Sequence, residues 1–522
     1  MISSVTESLK LKALSFSDEV TEEMGIPSFY RHLCKRHPEL ISRDVKETEW
    51  LALDFNCAMY HVLHKMPDYD PDQKAAWEKN FRKEICAYLM TIVDLVNPKG
   101  VYVSCDGVVC AAKRRQQRLR RFKGPWVSAI EDSLRGSTKV RWDQNALTPG
   151  TAFMASLGKD LVKTGSAIQK RGIPCIVSTT EEPGEGEHKL MRHLRGLDSL
   201  ESCVIYGLDA DLLLLAMLLV REKGIPVHLL REAQEFEQSN TGWCTVDVPR
   251  LIDVLLPSHE RVDDFVAAMS LLGNDFVPKS LTHTVRDDGI PGLIQTMKRV
   301  LWSQGRTLIV SDKIDGVSLR AIVTAMASEE EQNLVKSCVG AIRSRNRQVF
   351  ADSAEEQAVA EWQASPSRWA TILSLYDSRN RCLKSAWKTI YASWCPDASG
   401  LEYLATLSWV YDYYKGRPVD LGWAYEPHLP PLWSDLIESI GSNIDSPPLA
   451  YEAYLPAWVH LLAVLPETSA KALLKKSQLT LMKSHPLYWP TQFSLFDVGA
   501  SQIWQTEAVI PVIPETVLRD QR

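Results

Sequence analysis

The sequence has 522 residues, enough for about three domains of ordinary size, with 45% hydrophobic and 24% charged side chains, 26 glycines and 28 prolines. Such a composition excludes disordered, collagen-like and low-complexity chains. The formal charge of −6, from 59 basic and 65 acidic residues, weighs on its own against a polyanion-binding surface.

Short apolar runs at Trp50–Leu53, Val101–Cys105, Pro174–Ser178, Ser202–Leu208 and Ile225–Leu229 read as buried strands of a parallel sheet. Amphipathic stretches lie between them: Gln73–Val96, Ala111–Lys123, Thr151–Lys170, Glu187–Arg195 and Asp209–Val220. This alternation predicts a doubly wound α/β domain with helices on both faces, ending near Pro278 or shortly after. Residues 291–399 read as a helical connecting region with a polar stretch at Ala327–Gln363, and no internal repeat or Gly/Ser linker is present. From residue 400 to 522 the chain turns aromatic and proline-rich ("WVYDYYKGRP", "GWAYEPHLPPLWSDL", "LYWPTQFSLF"), a composition that mostly serves packing between layers.

The eleven cysteines contain no CxxC pair, so neither a disulfide framework nor a zinc site is indicated. The longest apolar run, Leu212–Val220, is too short to span a bilayer, and residues 1–23 lack a secretory pattern. A soluble protein of a reducing, intracellular compartment is expected.

Carboxylates recur where the strands end. Asp54 follows "WLAL" and Asp106 follows "VYVSC". Glu185 and Glu187 lie in "EEPGEGEHK", Asp209 and Asp211 in "YGLDADL", and Asp275 in "LLGNDFVP". The carboxyl ends of strands in an open parallel sheet line one crevice. Single acids there commonly cap the following helix, but Asp209 and Asp211 cannot both cap one helix. Acids converging in this number need cations, and hard oxygen donors suit Mg²⁺ or Mn²⁺. Two such ions about 4 Å apart are the usual apparatus for phosphodiester cleavage.

Residues 113–123, KRRQQRLRRFK, carry seven positive charges in eleven positions, and Lys113, Gln117, Arg120 and Arg121 share one helical face. Beginning seven residues after Asp106, that face is aimed at the acidic crevice and suits phosphate capture. A solvated charge run or a nuclear-import patch is the alternative when the run is taken alone.

These motifs, with "MGIPSFYRHLCKRHPEL", "DFN", "SCDGVVCAAKRRQQRLRRF", "LTPGTAFM" and "DDFVAAMSLLGNDFVP", resemble the Xrn family of 5′→3′ exoribonucleases in that family's order. The block "LEYLATLSWVYDYYKGRP…GWAYEPHLPPLWSDL" is similar to the family's second shared region, and the last segment to the end of its nuclease core. The resemblance implies a PIN-like, flap-nuclease-related domain over 24–290, preceded by an extension over 1–23 and embraced by a mainly helical second region. It implies that Asp54, Asp106, Glu185, Glu187, Asp209, Asp211 and Asp275 are the catalytic acids holding two divalent cations. Lys113, Gln117, Arg120 and Arg121 fall on the pocket for a substrate's 5′-monophosphate.

The implied substrate is single-stranded RNA with a 5′-monophosphate, and a monomer with no membrane association is expected. The chain departs from the family at three places. Tyr60, followed by His61, stands where the family commonly stacks a base on histidine; Trp423 is the candidate for a second stacking wall. Twenty-three residues precede Met24, and the chain ends with the nuclease core, without long C-terminal extensions. The rival readings are a DNA-directed 5′ nuclease of the flap class, for which no helix-hairpin-helix is evident around 275–300, and a catalytically silent RNA-binding protein.

Overall fold

The computed structural model describes residues 30, 33, 36–45, 47–207, 209–233, 242–285 and 288–521. The extension over 1–23, most of the "MGIPSFYRHL" segment and Leu208 lie outside the described residues.

A seven-stranded sheet organises the first half. Its strands are β1 (Ile41–Ser42), β2 (Trp50–Asp54), β3 (Gly100–Ser104), β4 (Cys175–Ser178), β5 (Cys203–Tyr206), β6 (Val227–Glu232) and β7 (Trp243–Asp247), in the spatial order β1-β7-β6-β5-β2-β3-β4. The five strands from β6 to β4 are parallel, while β7 and β1 close one edge antiparallel. The five expected strands are therefore the five parallel ones. The two edge strands carry no long apolar run, which is why they escape a search for buried strands.

Alternation along each central strand feeds two separate cores. Leu51, Leu53, Val101, Val103, Val204 and Tyr206 face helices α1 (Asn56–His64), α2 (Lys74–Val96) and α4 (Ala152–Lys170). Ala52, Tyr102, Cys203 and Ile205 face α5 (Gly186–Arg195) and α6 (Asp211–Lys223). Leu212 to Val220 of α6 are buried on every side, because the second region packs over them: Tyr403, Trp409, Tyr413, Tyr414 and Trp433 belong to the same core. Among the described residues no helix is long and apolar enough to cross a membrane, and the ten described cysteines are free thiols.

One helix exceeds its expected length. Helix α3 runs from Ala111 to Leu134, straight through Gly124 and Pro125. Pro125 has no N–H for the Arg121 carbonyl, and proline inside a helix ordinarily stops it. Tertiary contacts beyond the proline carry it on. Trp126 packs on Trp362 and Phe493 with ring centroids 5.8 and 5.7 Å away, and Gln363 Nε2 donates to Glu131 at 2.6 Å.

Candidate active site

The four acid-bearing strands β5, β2, β3 and β4 are consecutive neighbours and all parallel, so their carboxyl ends open on one side. Asp54 ends β2, Asp106 lies two residues past β3, Glu185 and Glu187 open α5 after β4, and Asp209 and Asp211 open α6 after β5. Asp275 arrives from a loop behind the turn Ser270–Leu272. Local bonds fix the crossing point: the Ser104 hydroxyl donates to the carbonyls of Leu53 and Gly186 at 2.9 and 2.8 Å, and the Gly186 N–H donates to Asp106 Oδ1 at 2.7 Å.

Gly186 is required by space. A Cβ there would stand 2.5 Å from Asp54 Oδ1 and 3.4 Å from Asp106 Oδ1. Gly186→Ala is accordingly expected to push Asp54 out of place and lower turnover by about 100-fold, the usual cost of a 1 Å misplacement. A melting temperature and a kcat near those of the parent would show that the site yields freely.

Four of the seven acids, with His188, fall in two overlapping groups. One carboxylate oxygen each from Asp54, Glu187 and Asp209 lie within 4.8 Å of one another, and so do ligand atoms of Glu185, Glu187 and His188. Five carboxylate oxygens here are buried without a hydrogen-bond partner: Asp54 Oδ1, both oxygens of Glu187, Asp209 Oδ1 and Asp211 Oδ1. Buried acceptors of this kind call for a proton or a cation. Burial, joined by the charges of Asp106 and Asp209, raises the Asp54 carboxyl well above its usual range. Burial also lifts Asp209 to about 6 and Asp211 to about 8. A cluster of hard oxygen donors that resists ionising alone fits a divalent cation.

Lys113 is drawn into this cluster. Its Nζ lies 2.7 Å from Glu185 Oε2 and 2.7 Å from Asp275 Oδ2, while Gln116 Nε2 reaches Asp275 Oδ1 at 2.6 Å. Burial opposes the ammonium charge, but Asp275 and Glu185 hold its pKa well above the ordinary value.

The basic run divides between two tasks. Arg114 pairs with Glu515, Arg115 donates to the Glu426 carbonyl, Arg118 to the carbonyls of Ala463 and Tyr488, and Lys123 to those of Trp504 and Thr506. Those four cations dock α3 onto the second region. Gln117, Arg120 and Arg121 share the helical face of Lys113, whose ammonium reaches the acids. Gln117 keeps a buried Oε1 without a partner, Arg120 favours the ionised form of Asp209, and Arg121 donates to Asn145 Oδ1 at 3.1 Å. Arg121 also feels Tyr60 and Asp106, which places its guanidinium near the acids.

Of the stacking candidates, Tyr60 is half-buried on α1 beside Arg121. Its neighbour His61 turns the other way, stacked on Tyr88 at 5.0 Å and bonded to Lys65 at 2.6 Å. Trp423 is half-buried, with its indole N–H on the Thr406 hydroxyl at 2.9 Å. The Ala111 N–H donates to the Leu421 carbonyl at 2.8 Å, which sets that turn against the first residues of α3.

Several site residues escape the sequence reading. The Tyr413 hydroxyl donates to Glu185 Oε1 at 2.7 Å and the Tyr414 hydroxyl to Asp211 Oδ2 at 2.9 Å. The "YDYY" block is therefore more than packing: it reaches the acids from across the core. The half-buried ring of His188 lies against Tyr413 at 3.9 Å, and the loss of water around it lowers its pKa to about 3. The signal for His188 was its place between Glu187 and Lys189; for the tyrosines no local signal existed.

Behind α3 lies His460, fully buried, with both ring nitrogens unpartnered. Burial first, then the charges of Arg114 and Arg121, hold its pKa well below 6.5. The unfolded chain takes up a proton below that pH and the folded one does not. Stability from His460 is thus lost as pH falls, by up to about 1.4 kcal/mol per pH unit. His460→Leu is expected to match the parent's urea midpoint at pH 7 and exceed it at pH 5.5; an equal gap at both pH values would remove His460 from the acid response.

Comparison with known proteins finds a family similar to the first part of the chain. Residues 24–233 match the family model described as XRN 5′-3′ exonuclease N-terminus. The first part of the chain is thus similar to the amino-terminal domain of the Xrn exonucleases. The chain is 31% identical over 322 residues to 5′-3′ exoribonuclease 1 of Saccharomyces cerevisiae, covering 53% of this chain and 21% of that protein. With 5′-3′ exoribonuclease 1 of Homo sapiens it shares 25% identity over 582 aligned positions, 94% of this chain and 34% of the relative. With 5′-3′ exoribonuclease 2 of Candida glabrata it shares 26% over 458, covering 70% and 44%. The chain thus spans from 21% to 44% of the length of these relatives.

Proposed function

We propose that this chain is an Xrn-family 5′→3′ exoribonuclease that hydrolyses single-stranded RNA from a 5′-monophosphate end and releases nucleoside 5′-monophosphates. The observation that carries the reading is the cluster of buried, unpartnered carboxylate oxygens that Asp54, Glu187, Asp209 and Asp211 bring from the ends of β2, β4 and β5, with the charges of Arg120 and Arg121 acting on Asp209 and Asp106. We take the sheet as a PIN-like, flap-nuclease-related domain, on the strength of its strand order and the acids at its carboxyl edge.

In this reading Asp54, Asp106, Glu185, Glu187, Asp209, Asp211 and Asp275 hold two divalent cations, Mg²⁺ or Mn²⁺. Bound there, such ions supply an activated water and charge stabilisation for the leaving oxygen. Tyr413 and Tyr414 orient Glu185 and Asp211, as outer hydrogen bonds commonly do for ligating groups. Gln117, Arg120 and Arg121 hold the terminal phosphate, so the first internucleotide phosphate meets the acids in a fixed position. Lys113 adds a positive charge at the boundary between the two subsites. After each cut the new end again carries a 5′-phosphate, and the cycle repeats. Tyr60 and Trp423 are assigned as stacking walls for the first bases.

Purified protein with Mg²⁺ should be incubated with 5′-monophosphate RNA, 5′-triphosphate RNA and single-stranded DNA of matching sequence. Stepwise disappearance of the first alone supports the proposal. Comparable loss of the DNA favours a flap-type DNA nuclease, and no loss of any favours a silent RNA-binding protein.

A further inference from the structure

The Arg121 guanidinium does not stand alone. Its acceptor, Asn145, sits in a tight turn, Gln144–Leu147, whose backbone is tied at both ends. The Asn145 N–H donates to Asp143 Oδ1 at 2.9 Å, its carbonyl accepts from the Thr148 hydroxyl at 2.6 Å, and the Thr151 hydroxyl closes on the Ala146 carbonyl at 2.6 Å. Little freedom is left to the Asn145 side chain. Its Oδ1 accepts from Arg121 Nη1 at 3.1 Å, and its Nδ2 donates to the Ser469 hydroxyl at 2.9 Å. A guanidinium has only donors, so the amide oxygen must face Arg121 and the amide nitrogen must face Ser469. Asn145 and Ser469 are both buried.

Ser469 lies 324 residues further along, in the helix Glu467–Leu473. That helix shares a core with Val459, Leu461 and Leu479 and with Leu119 and Phe122 of α3. The carboxyl-terminal segment is therefore braced against the same helix that carries Arg121.

We infer that Asn145 and Ser469 are positioning residues that hold the Arg121 side chain for the substrate's 5′-phosphate, so that the carboxyl-terminal segment sets the preference for a phosphorylated end. The inference rests on the reading of Arg121 as a 5′-phosphate ligand. The chemistry of the acceptor supports it. A neutral amide takes one of the five guanidinium N–H groups and leaves the charge undiminished for a phosphate. A carboxylate in its place would pair with Arg121 and compete with the substrate. Holding a long, flexible arginine in advance removes ordering that binding would otherwise have to supply.

The test compares kcat and KM on 5′-monophosphate and 5′-hydroxyl RNA of one sequence for the parent, Arg121→Ala, Asn145→Leu, Asn145→Asp, Ser469→Ala and Ser469→Thr. Asn145→Leu is expected to lower kcat/KM on the monophosphate substrate by about tenfold, the scale of one charge-assisted hydrogen bond, mainly through KM, and to leave the hydroxyl substrate nearly unchanged. Asn145→Asp should lower it further. Ser469→Ala should shift the ratio in the same direction by a smaller factor, and Ser469→Thr, which keeps the hydroxyl, should retain the parent's ratio.

Equal losses on both substrates, or an unchanged ratio, would overturn the inference. If Asn145→Leu unfolds, the Ser469→Ala and Ser469→Thr pair decides alone. Should the parent itself ignore the end group, the reading of Arg121 fails. Should the parent discriminate and Arg121→Ala lose that discrimination while Asn145→Leu keeps it, only the relay fails.

Discussion

Asp54→Asn is expected to reduce RNA cleavage by at least about a thousandfold, a loss typical of removing one charge from a preorganised site, without unfolding the protein. Asp54 ends β2 at the centre of the acid-bearing strands, and one of its oxygens is buried without a partner. Burial and the neighbouring Asp106 and Asp209 raise its pKa, which means that the ionised form is held against the preference of the fold. Such an oxygen contributes nothing to stability in the cation-free protein, so replacing it by an amide relieves repulsion instead of breaking a pair. The unfolding temperature of the cation-free variant should equal or exceed that of the parent. Activity and stability then move in opposite directions, as expected of a residue kept for function.

A second readout separates cation binding from the chemical step. Mn²⁺ at about 100 times its dissociation constant should stabilise the parent by about 2.7 kcal/mol, seen as a rise in unfolding temperature, and should stabilise Asp54→Asn much less. Asp209→Asn should behave alike, because Asp54, Glu187 and Asp209 present oxygens within 4.8 Å of one another. Near-normal turnover in either variant would sink the assignment of these carboxylates.

The parallel core and its acids were legible because both follow from local chemistry. Strands buried on two faces must be apolar at every position, and the acids stand where those runs stop. What local chemistry could not give is what each face meets. The charged run over 113–123 looks like one basic patch, yet Arg114, Arg115, Arg118 and Lys123 are spent on Glu515 and on carbonyls of residues 426–506. Whether an arginine on α3 binds protein or substrate is decided by a surface that arrives some 300 residues later in the chain. Tyr413 and Tyr414 make the same point from the other side. Their composition says packing, and only the tertiary fold brings their hydroxyls to Glu185 and Asp211. Gly124 and Pro125 look like a helix end, but Trp126, Glu131 and their partners hold the helix together beyond them.

Arg121→Ala is expected to erase most of the preference for a 5′-monophosphate over a 5′-hydroxyl end. Arg121 shares the face of α3 that carries Lys113 to the acids, and burial already lowers its pKa. Desolvation makes an unpaired guanidinium costly, so a phosphate that pairs with it gains more than it would in water. Removing one partner of such a pair costs about 3–5 kcal/mol, a fall of roughly 100- to 1,000-fold in kcat/KM on monophosphate RNA. The 5′-hydroxyl substrate offers no charge to lose, so its turnover should change little, and the two substrates should converge. The cation response measured by Mn²⁺-induced stabilisation should stay at the parent's level, because Arg121 spends its hydrogen bond on Asn145 and not on a carboxylate of the cluster. A preserved preference for the phosphorylated end would take Arg121 out of the pocket and leave Gln117 and Arg120 to account for it.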